Sequence, residues 1–190
     1  MVADPLRLFD CAPVGDGAAA ALLVNENAIG RAKTGLVEVL GGAIATTEFS
    51  VYERKDMLRF EATEMAFRRA LEQAGLPASK VGLIETHDAF SVVAALSLEA
   101  MGVSKKGRAT MDAKEGRFNL DGDIPINTFG GLKARGHPVG ATGVYQIAEA
   151  YLQLTDAAGK NKVKDLDYAV TQNVGGVDTS SVVHVFGRAQ

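Results

Sequence analysis

The residues best suited to chemistry lie between Asn127 and Gly143, a segment that contains five glycines and one histidine. Glycine lets the backbone approach a ligand closely, and Pro138 biases His137 toward an extended conformation. From Ala141 onward, apolar residues recur at spacings of three and four, which predicts a helix. His137 therefore stands just before the positive end of a helix dipole, a place that suits an anion or an oxyanion.

A second histidine, His87, follows the short apolar run Val81–Thr86 and precedes a helical pattern over Ser91–Met101, which begins on a candidate N-cap serine. At this junction His87 fits either a functional role or a cap of the loop that continues with Asp88. These side chains and His137 lack the local spacing of metal-binding motifs, so we expect no metal site.

The elements that must position both histidines alternate between strands and helices. Helical spacing over Glu61–Ala74 ends at Gly75 and Pro77, which stop a helix. The alternation indicates an α/β layered fold with a mixed sheet, parallel inside and antiparallel at the end. The glycine pair in the second predicted strand favours a bulge or close packing. Strands are predicted at Ala18–Val24, Gly35–Ala45, Val81–Thr86, Tyr168–Asn173 and Ser180–Phe186, the last two as a hairpin.

The composition excludes several classes of protein. With 190 residues, 47% hydrophobic and 23% charged, the chain can bury the core of one domain, with or without an appendage. A net charge of −3 with interspersed signs offers no face for nucleic acid, and the apolar runs are too short to cross a membrane. With a single cysteine and no signal pattern at the start, we expect a cytoplasmic protein.

Two sets of residues have an ordinary interpretation. Cys11 is expected to be a small, buried or half-buried side chain rather than a nucleophile. The polar stretch Ser104–Asp123 is expected to be a surface excursion.

Four blocks, Asp16–Ala20, His87–Phe90, Gly130–Gly143 and Asn173–Gly176, resemble in order and spacing the C-terminal half of a thiolase, closest to the archaeal and sterol-carrier-protein-linked branch. The resemblance covers nearly the whole chain. It implies a thiolase-like layered α/β fold, with a mixed five-stranded sheet and helices on both faces. It also implies that residues 1–34 are the tail of the N-terminal thiolase half and that residues 35–190 form a C-terminal thiolase-like domain, with the boundary near Lys33–Gly35.

The resemblance also implies roles. In thiolases a cysteine of the first half takes the acyl group; His137 matches the histidine that activates it, and His87 matches a residue that helps to hold the thioester carbonyl oxygen. The substrate would be a coenzyme A thioester, with no further cofactor. We expect it to lie against the glycine-rich segment, at Phe129, Gly136, Gly140 and Gly143.

The basic residues of the polar stretch Ser104–Asp123 could meet the phosphates of coenzyme A, but we expect them to belong to a solvated loop. They are Lys105, Lys106, Arg108, Lys114 and Arg117.

The chain departs from the family at two positions, since Asn173 and Ala89 stand where relatives carry an acid/base cysteine. Asn173 can either donate its amide to a thioester oxygen or cap the turn before Gly175, and we assign it to the catalytic set with the two histidines. Neither asparagine nor alanine can shuttle a proton at neutral pH.

Three functions remain open. The first is the C-terminal part of an acyl-CoA acyltransferase that catalyses Claisen condensation or thiolysis of a 3-ketoacyl-CoA, inactive without the cysteine half. The second is a non-catalytic subunit that binds acyl-CoA or a partner chain. The third is an aldolase component, for which no motif recommends Tyr145 or Tyr168 as the base. In each case we expect an oligomer, with a thiolase N-terminal half or a second subunit as partner.

Overall fold

The computed structural model describes residues 1–31 and 35–189. Four strands form one sheet in the order β1-β4-β3-β2. The hairpin of β3 and β4 is antiparallel, β1 joins β4 antiparallel, and β2 joins β3 in parallel, which confirms the predicted mixed sheet and hairpin. The strands are β1 (Val37–Thr46), β2 (Leu83–Glu85), β3 (Tyr168–Gly175) and β4 (Ser180–Arg188).

The sheet has four strands rather than the five expected. On the free edge of β2, Ile84 and Ile126 form one isolated parallel bridge. Two backbone hydrogen bonds, from Ile84 N to Pro125 O (3.1 Å) and from Asn127 N to Ile84 O (3.1 Å), accompany it. The chain therefore passes β2 as a fifth strand would, but leaves after one residue because Asn127 adopts a left-handed φ of 45°.

Among the described residues, five helices accompany the sheet. α1 has the predicted bounds, because Gly75 adopts a φ of 66° and donates its amide to the carbonyls of Glu72 and Leu71. The described residues also form five short 3-10 turns, two of which precede β1. The helices are α1 (Glu61–Ala74), α2 (Ser91–Ala100), α3 (Ala109–Lys114), α4 (Gly131–Arg135) and α5 (Thr142–Leu154).

The two faces of the sheet are covered by different helices, as predicted. We call the side beneath α1 and α2 the closed face. Its core includes the fully buried residues Ala66, Ala70, Ile84, Val183 and Val185. The side beneath α5 is the open face, where α5 packs over β2 and β3. Its core is a smaller cluster made of Leu83, Ala150, Leu154, Val163, Leu166, Ala169 and Phe186.

The glycine pair in β1 gives both features that the sequence predicted. The pairing of β1 with β4 shifts register between Val39 and Gly41, which is a bulge. A Cβ atom on Gly41 would collide with the carbonyl oxygen of Ala70, so glycine is needed for α1 to approach the closed face. On Gly42 a Cβ would instead meet the His184 ring, at 3.1 Å on the open face.

Three sequence predictions are corrected. Ala18–Val24 is not a buried strand: Leu22 is 90% exposed, and no strand of the described residues pairs with this run. Ser91 is not the N-cap of α2; Phe90 takes that place, because the Ser91 hydroxyl donates instead to Asp10. The polar stretch 104–123 lies largely at the surface, as expected, but it is not all loop, because Ala109–Lys114 form α3 and Phe118 is buried. The predicted domain boundary near Lys33 falls at residues outside those described.

Candidate active site

His137 lies in the connection between α4 and α5, which we call the G-H-P loop (residues 136–141). Gly136 adopts a φ of 93°, open only to glycine without strain, and so turns the chain out of α4. The His137 amide donates to the carbonyl of Pro13 (2.9 Å). Its ring Nδ1 lies 2.7 Å from the hydroxyl of Thr142, the first residue of α5. Contacts of its backbone amide and of its ring therefore both fix the position of His137.

His87 follows the C-terminal end of β2 and is 6% exposed. Its amide donates to the side-chain oxygen of Gln172 (3.1 Å), which also accepts from Thr86. The rings of His87 and His137 meet edge to face, with centroids 5.0 Å apart and an interplanar angle of 87°. None of the described residues gives His87 Nδ1 a hydrogen bond. The structure therefore brings the two predicted histidines together and, among the described residues, leaves His87 Nδ1 without a hydrogen-bond partner.

Asp88, which follows His87, binds the first turn of α4. Its carboxylate accepts from the amides of Leu132 (2.7 Å) and Lys133 (3.4 Å), in the first turn of α4. A Cβ atom on Gly131 would lie 2.6 Å from this carboxylate, so glycine is required for the contact. Burial raises the pKa of Asp88, while the two amide hydrogen bonds lower it. Asp88 thus ties the segment that carries His87 to the helix that precedes His137.

The surroundings of both histidines favour the neutral imidazole. Burial, then the neighbouring His137 and the charge of Arg135, lowers the pKa of His87 to about 4. Burial and then Arg135 also lower the pKa of His137, although Asp88 acts in the opposite direction. Since an unperturbed imidazole has a pKa of about 6.5, each ring carries one N–H and one lone pair near pH 7.

The other predicted site residues lie at different distances from this pair. Asn173 is half-buried in β3 and donates its amide to Gln146 of α5 (3.0 Å). It sits beside Gly143, where a Cβ would be 3.7 Å from the Asn173 side chain. Gly140 is exposed with open space around it, and Phe129 is half-buried. Asn173 does not cap a turn before Gly175, because β3 continues through Gly175.

Residues 11–14 run beside both histidine segments. The amide of Ala12 donates to the carbonyl of Ala89 (2.8 Å), and Cys11 forms a bridge with Phe90. Val14 forms a parallel bridge with His137. Cys11 is half-buried, as expected, with its Sγ 3.6 Å from the carbonyl oxygen of Arg7.

The sequence did not reveal a set of buried polar residues around the histidines. Gln172 is fully buried, and its amide nitrogen donates to Thr63 (3.1 Å) and Ser97 (3.3 Å) from the closed face. Gln146 donates to the carbonyls of Glu85 (3.2 Å) and Gln172 (2.9 Å). Glu85 offered one signal, since it is a charged residue that ends an apolar run. In the structure it is 0% exposed.

Three of the five basic residues of the 104–123 stretch form ion pairs with acidic residues of the chain. Lys106 pairs with Asp56 (2.7 Å), and Arg117 pairs with Asp112 (3.2 Å). Arg108 also approaches Asp112 (3.5 Å).

Residues 1–31 and 35–189 contain no cluster of three or more side chains suited to a metal ion. Over the same ranges, no helix is long and apolar enough to cross a membrane.

Residues 42–188 match the family model described as thiolase C-terminal domain-like. The chain belongs to the thiolase family. The matched range contains both histidines, the G-H-P loop and Asn173, so the resemblance carried by the sequence motifs is confirmed. The thiolase-like fold is confirmed as well, with four strands rather than five.

Two curated relatives show the extent of the match. The acetyl-CoA acetyltransferase of Methanothermobacter thermautotrophicus is 42% identical over 188 residues, which are 99% of this chain and 49% of that protein. Human sterol carrier protein 2 is 36% identical over 181 residues, which are 92% of this chain and 33% of that protein. The chain therefore spans about half the length of the archaeal thiolase relative.

A solved structure named Ltp2-ChsH2(DUF35) aldolase has a similar fold. It superposes with a TM-score of 0.83 at 22% sequence identity, over 99% of this chain and 49% of that chain. At this identity the likeness concerns the fold alone.

Proposed function

We propose that this chain is the C-terminal part of a thiolase-like acyl-CoA acyltransferase, which catalyses Claisen condensation or thiolysis of a 3-ketoacyl-CoA together with a cysteine-bearing N-terminal half. One observation carries the proposal: the rings of His87 and His137 meet with their centroids 5.0 Å apart, and His137 contacts Thr142, the first residue of α5. Such a pair can receive a proton from a thiol and donate a hydrogen bond to an oxyanion in the same reaction.

His137 takes the proton of the nucleophilic thiol. This role requires the tautomer with the proton on Nδ1, which then donates to the Thr142 hydroxyl and leaves the lone pair of Nε2 to accept the thiol proton. A thiol of ordinary pKa, about 8.5, becomes a nucleophile when a neutral imidazole receives its proton. In thiolysis the thiolate then attacks the C3 carbonyl of the 3-ketoacyl-CoA, the C2–C3 bond breaks, and coenzyme A removes the acyl group from sulfur.

His87 holds the thioester oxygen of the fragment that leaves. Breaking the C2–C3 bond places negative charge on this oxygen as the enolate forms. The neutral His87 ring has one N–H, which can donate a hydrogen bond to this oxygen. The hydrogen bond from the His87 amide to Gln172 fixes the position of the His87 backbone. Hydrogen-bond donors that are already in position stabilise such an oxyanion more effectively than water does.

Exposed apolar residues support a partner. Leu22 (90%), Leu23 (79%) and Ile44 (62%) are large aliphatic side chains in contact with solvent. Surfaces of this kind mark interaction sites in proteins that are otherwise well packed. We assign these exposed side chains to contacts with a thiolase N-terminal half or a second subunit. We assign an acyl-CoA thioester as the substrate, with no further cofactor.

A second candidate, a non-catalytic subunit that binds acyl-CoA, is favoured by Ala89 and Asn173. The enolate must be protonated at carbon, and neither residue can supply a proton. The amide of Asn173 already donates to Gln146. Under the first proposal, that proton comes from solvent or from the N-terminal half.

The test is to reconstitute the chain with an N-terminal thiolase half that carries the nucleophilic cysteine, for which the archaeal relative offers a source. The complex should cleave acetoacetyl-CoA in the presence of coenzyme A. A Cys11→Ser background removes this chain's only thiol, so that alkylation by iodoacetamide reports on the partner's cysteine alone. His137→Asn should slow that alkylation at pH 7 by roughly 10-fold or more, since the thiolate fraction falls.

Formation of the complex is measured separately by sedimentation. A complex that assembles and binds acyl-CoA but does not cleave acetoacetyl-CoA would support the non-catalytic subunit instead. Cleavage of a β-hydroxyacyl-CoA by the same complex would favour the aldolase alternative. Alkylation at an unchanged rate in His137→Asn would remove the activating role from this histidine.

A further inference from the structure

Three ionisable side chains from β2, α4 and α5 meet in a buried cluster. Arg135 Nε donates to Glu149 Oε1 (2.9 Å), and Nη2 reaches Oε2 (3.5 Å). The side chains of Arg135 and Glu149 are only 17% and 8% exposed. Glu85, at the end of β2, is 0% exposed. The proposed reaction assigns no role to these three residues.

One proton resolves the contact between the two glutamates. Burial, followed by the negative charge of Glu149 and a hydrogen bond shared with it, raises the pKa of Glu85 well above its usual range. Two buried carboxylates in contact do not both ionise. Among the described residues, none donates to Glu85 Oε2, so a protonated Glu85 has a free hydrogen for Glu149. The cluster then consists of one cation, one anion and one neutral acid.

The cluster is connected to both ends of the G-H-P loop. Arg135 is the last residue of α4 and is separated from His137 by one glycine. Beyond the loop, its guanidinium carbon lies 4.9 Å from the centroid of the Tyr145 ring, and Glu149 is one turn further along α5. A single arginine therefore holds α4 against α5 at the place where the loop leaves one helix and joins the next.

We propose that Arg135 and Glu149 are positioning residues that hold both ends of the G-H-P loop and thereby fix the orientation of His137, while a protonated Glu85 keeps Glu149 in place. The catalytic consequence rests on the proposed function. The orientation of His137 does not, because it can be observed in this chain alone.

The first experiment follows the three histidines by NMR in the isolated chain. Glu149→Gln should shift the imidazole signals of His137 and the amide signals of residues 136–141, because the guanidinium loses its charged partner. Signals of His184, which lies on β4, should stay in place. Arg135→Lys keeps the charge but loses the fork and the ring contact, so it should fold and give a smaller shift of the same signals.

The second experiment uses the reconstituted enzyme. Glu149→Gln should lower kcat roughly 10-fold with KM unchanged, because a misplaced base affects the chemical step rather than binding. Glu85→Leu should lower kcat similarly, and Glu85→Gln should recover most of it, since its amide donates to Glu149 as the protonated acid does. Arg68→Gln, which removes a cation from an exposed ion pair on α1, is the matched control.

Two results would overturn the proposal. One is a Glu149→Gln chain that loses stability while the His137 and loop signals stay at their native positions, since the cluster would then only pack. The other is a Glu85→Gln enzyme as impaired as Glu85→Leu. If the wild-type complex itself shows no thiolysis, the proposed function fails, whereas the NMR experiment still decides whether the cluster positions His137.

Discussion

The closed and open faces of the sheet differ in how completely this chain covers them. On the closed face, the side chains of Ile84, Val170 and Val183 are fully buried under α1 and α2. On the open face α5 lies over β2 and β3, while Ile44 and Val39 of β1 remain 62% and 52% exposed. The same strands therefore carry one complete core and one that lacks a cover at the β1 edge.

The difference shows which interactions the sequence can satisfy by itself. The closed face brings α1 against β1 so tightly that Gly41 cannot be replaced without collision. Beside it on the open face, a Cβ atom on Gly42 would lie 3.1 Å from the ring of the half-buried His184, which is a tight contact but not a collision with backbone. The closed face holds this chain together, and the uncovered part of the open face is available to the partner proposed above.

The largest expected contrast is between two isoleucines. Ile84→Ala, on the closed face, should lower the free energy of unfolding by about 4 kcal/mol, because it leaves a cavity under α1. Ile44→Ala, on the open face, should change it by about 0.5 kcal/mol, since the side chain is already in contact with solvent. Urea unfolding of both variants measures the contrast. Equal losses would mean that the open face is already covered in solution, for instance by a second copy.

The second prediction concerns pH. The folded pKa of His87 is about 4 against an ordinary 6.5, so between these values the unfolded chain binds the extra proton. His87 therefore contributes stability that is fully present above pH 6.5 and is lost as the pH falls toward 4, about 3 kcal/mol in all. His137 and His184 act with the same sign, and Glu85, with its raised pKa, acts with the opposite sign.

This pH dependence separates the site from the open face. Urea unfolding at pH 7 and pH 4.5 should show a much smaller difference in His87→Asn than in the wild type. His184→Asn, on the open face, should retain most of the difference because His184 is only half-buried. A His87→Asn chain with the full wild-type dependence would show that His87 is not the source.

The smallest expected effect is on association. Because the uncovered part of the open face exposes aliphatic side chains, the isolated chain should self-associate. Ile44→Lys should weaken the self-association by roughly 10-fold, about 1.4 kcal/mol. Sedimentation velocity over a range of concentrations measures it. Met111→Lys on α3, also at an exposed apolar residue (42%), is the control and should leave association unchanged. A wild-type chain that stays monomeric at every concentration would contradict the prediction.

Local signals predicted the elements well where they were strong. α1 was predicted to the residue, because its spacing is regular and Gly75 and Pro77 stop it. Ala18–Val24 failed because an apolar run reports a need for burial and not where the covering surface lies. The serine N-cap failed because the rule is local, whereas the Ser91 hydroxyl is bound by Asp10, 81 residues away.

The sequence predicted the two histidines of the site but not the buried polar residues that surround them. His87 and His137 were named from motifs, yet their contact across fifty residues follows only from the fold. Gln146, Glu149 and Gln153 recur at helical spacing and would normally be assigned to a solvent-facing stripe, but all three are buried in α5. Their partners lie on other elements, and no local pattern announces them.

The short run of residues 11–14 has a practical consequence for anyone who trims this protein. A fragment begun at residue 35, where the motifs suggest a domain starts, would discard the carbonyl of Pro13 that accepts from the His137 amide, and the amide of Ala12 that donates to Ala89. The backbone around both imidazoles would lose those ties while every side chain of the half-site stayed in the fragment. The smallest useful fragment must therefore begin upstream of Cys11.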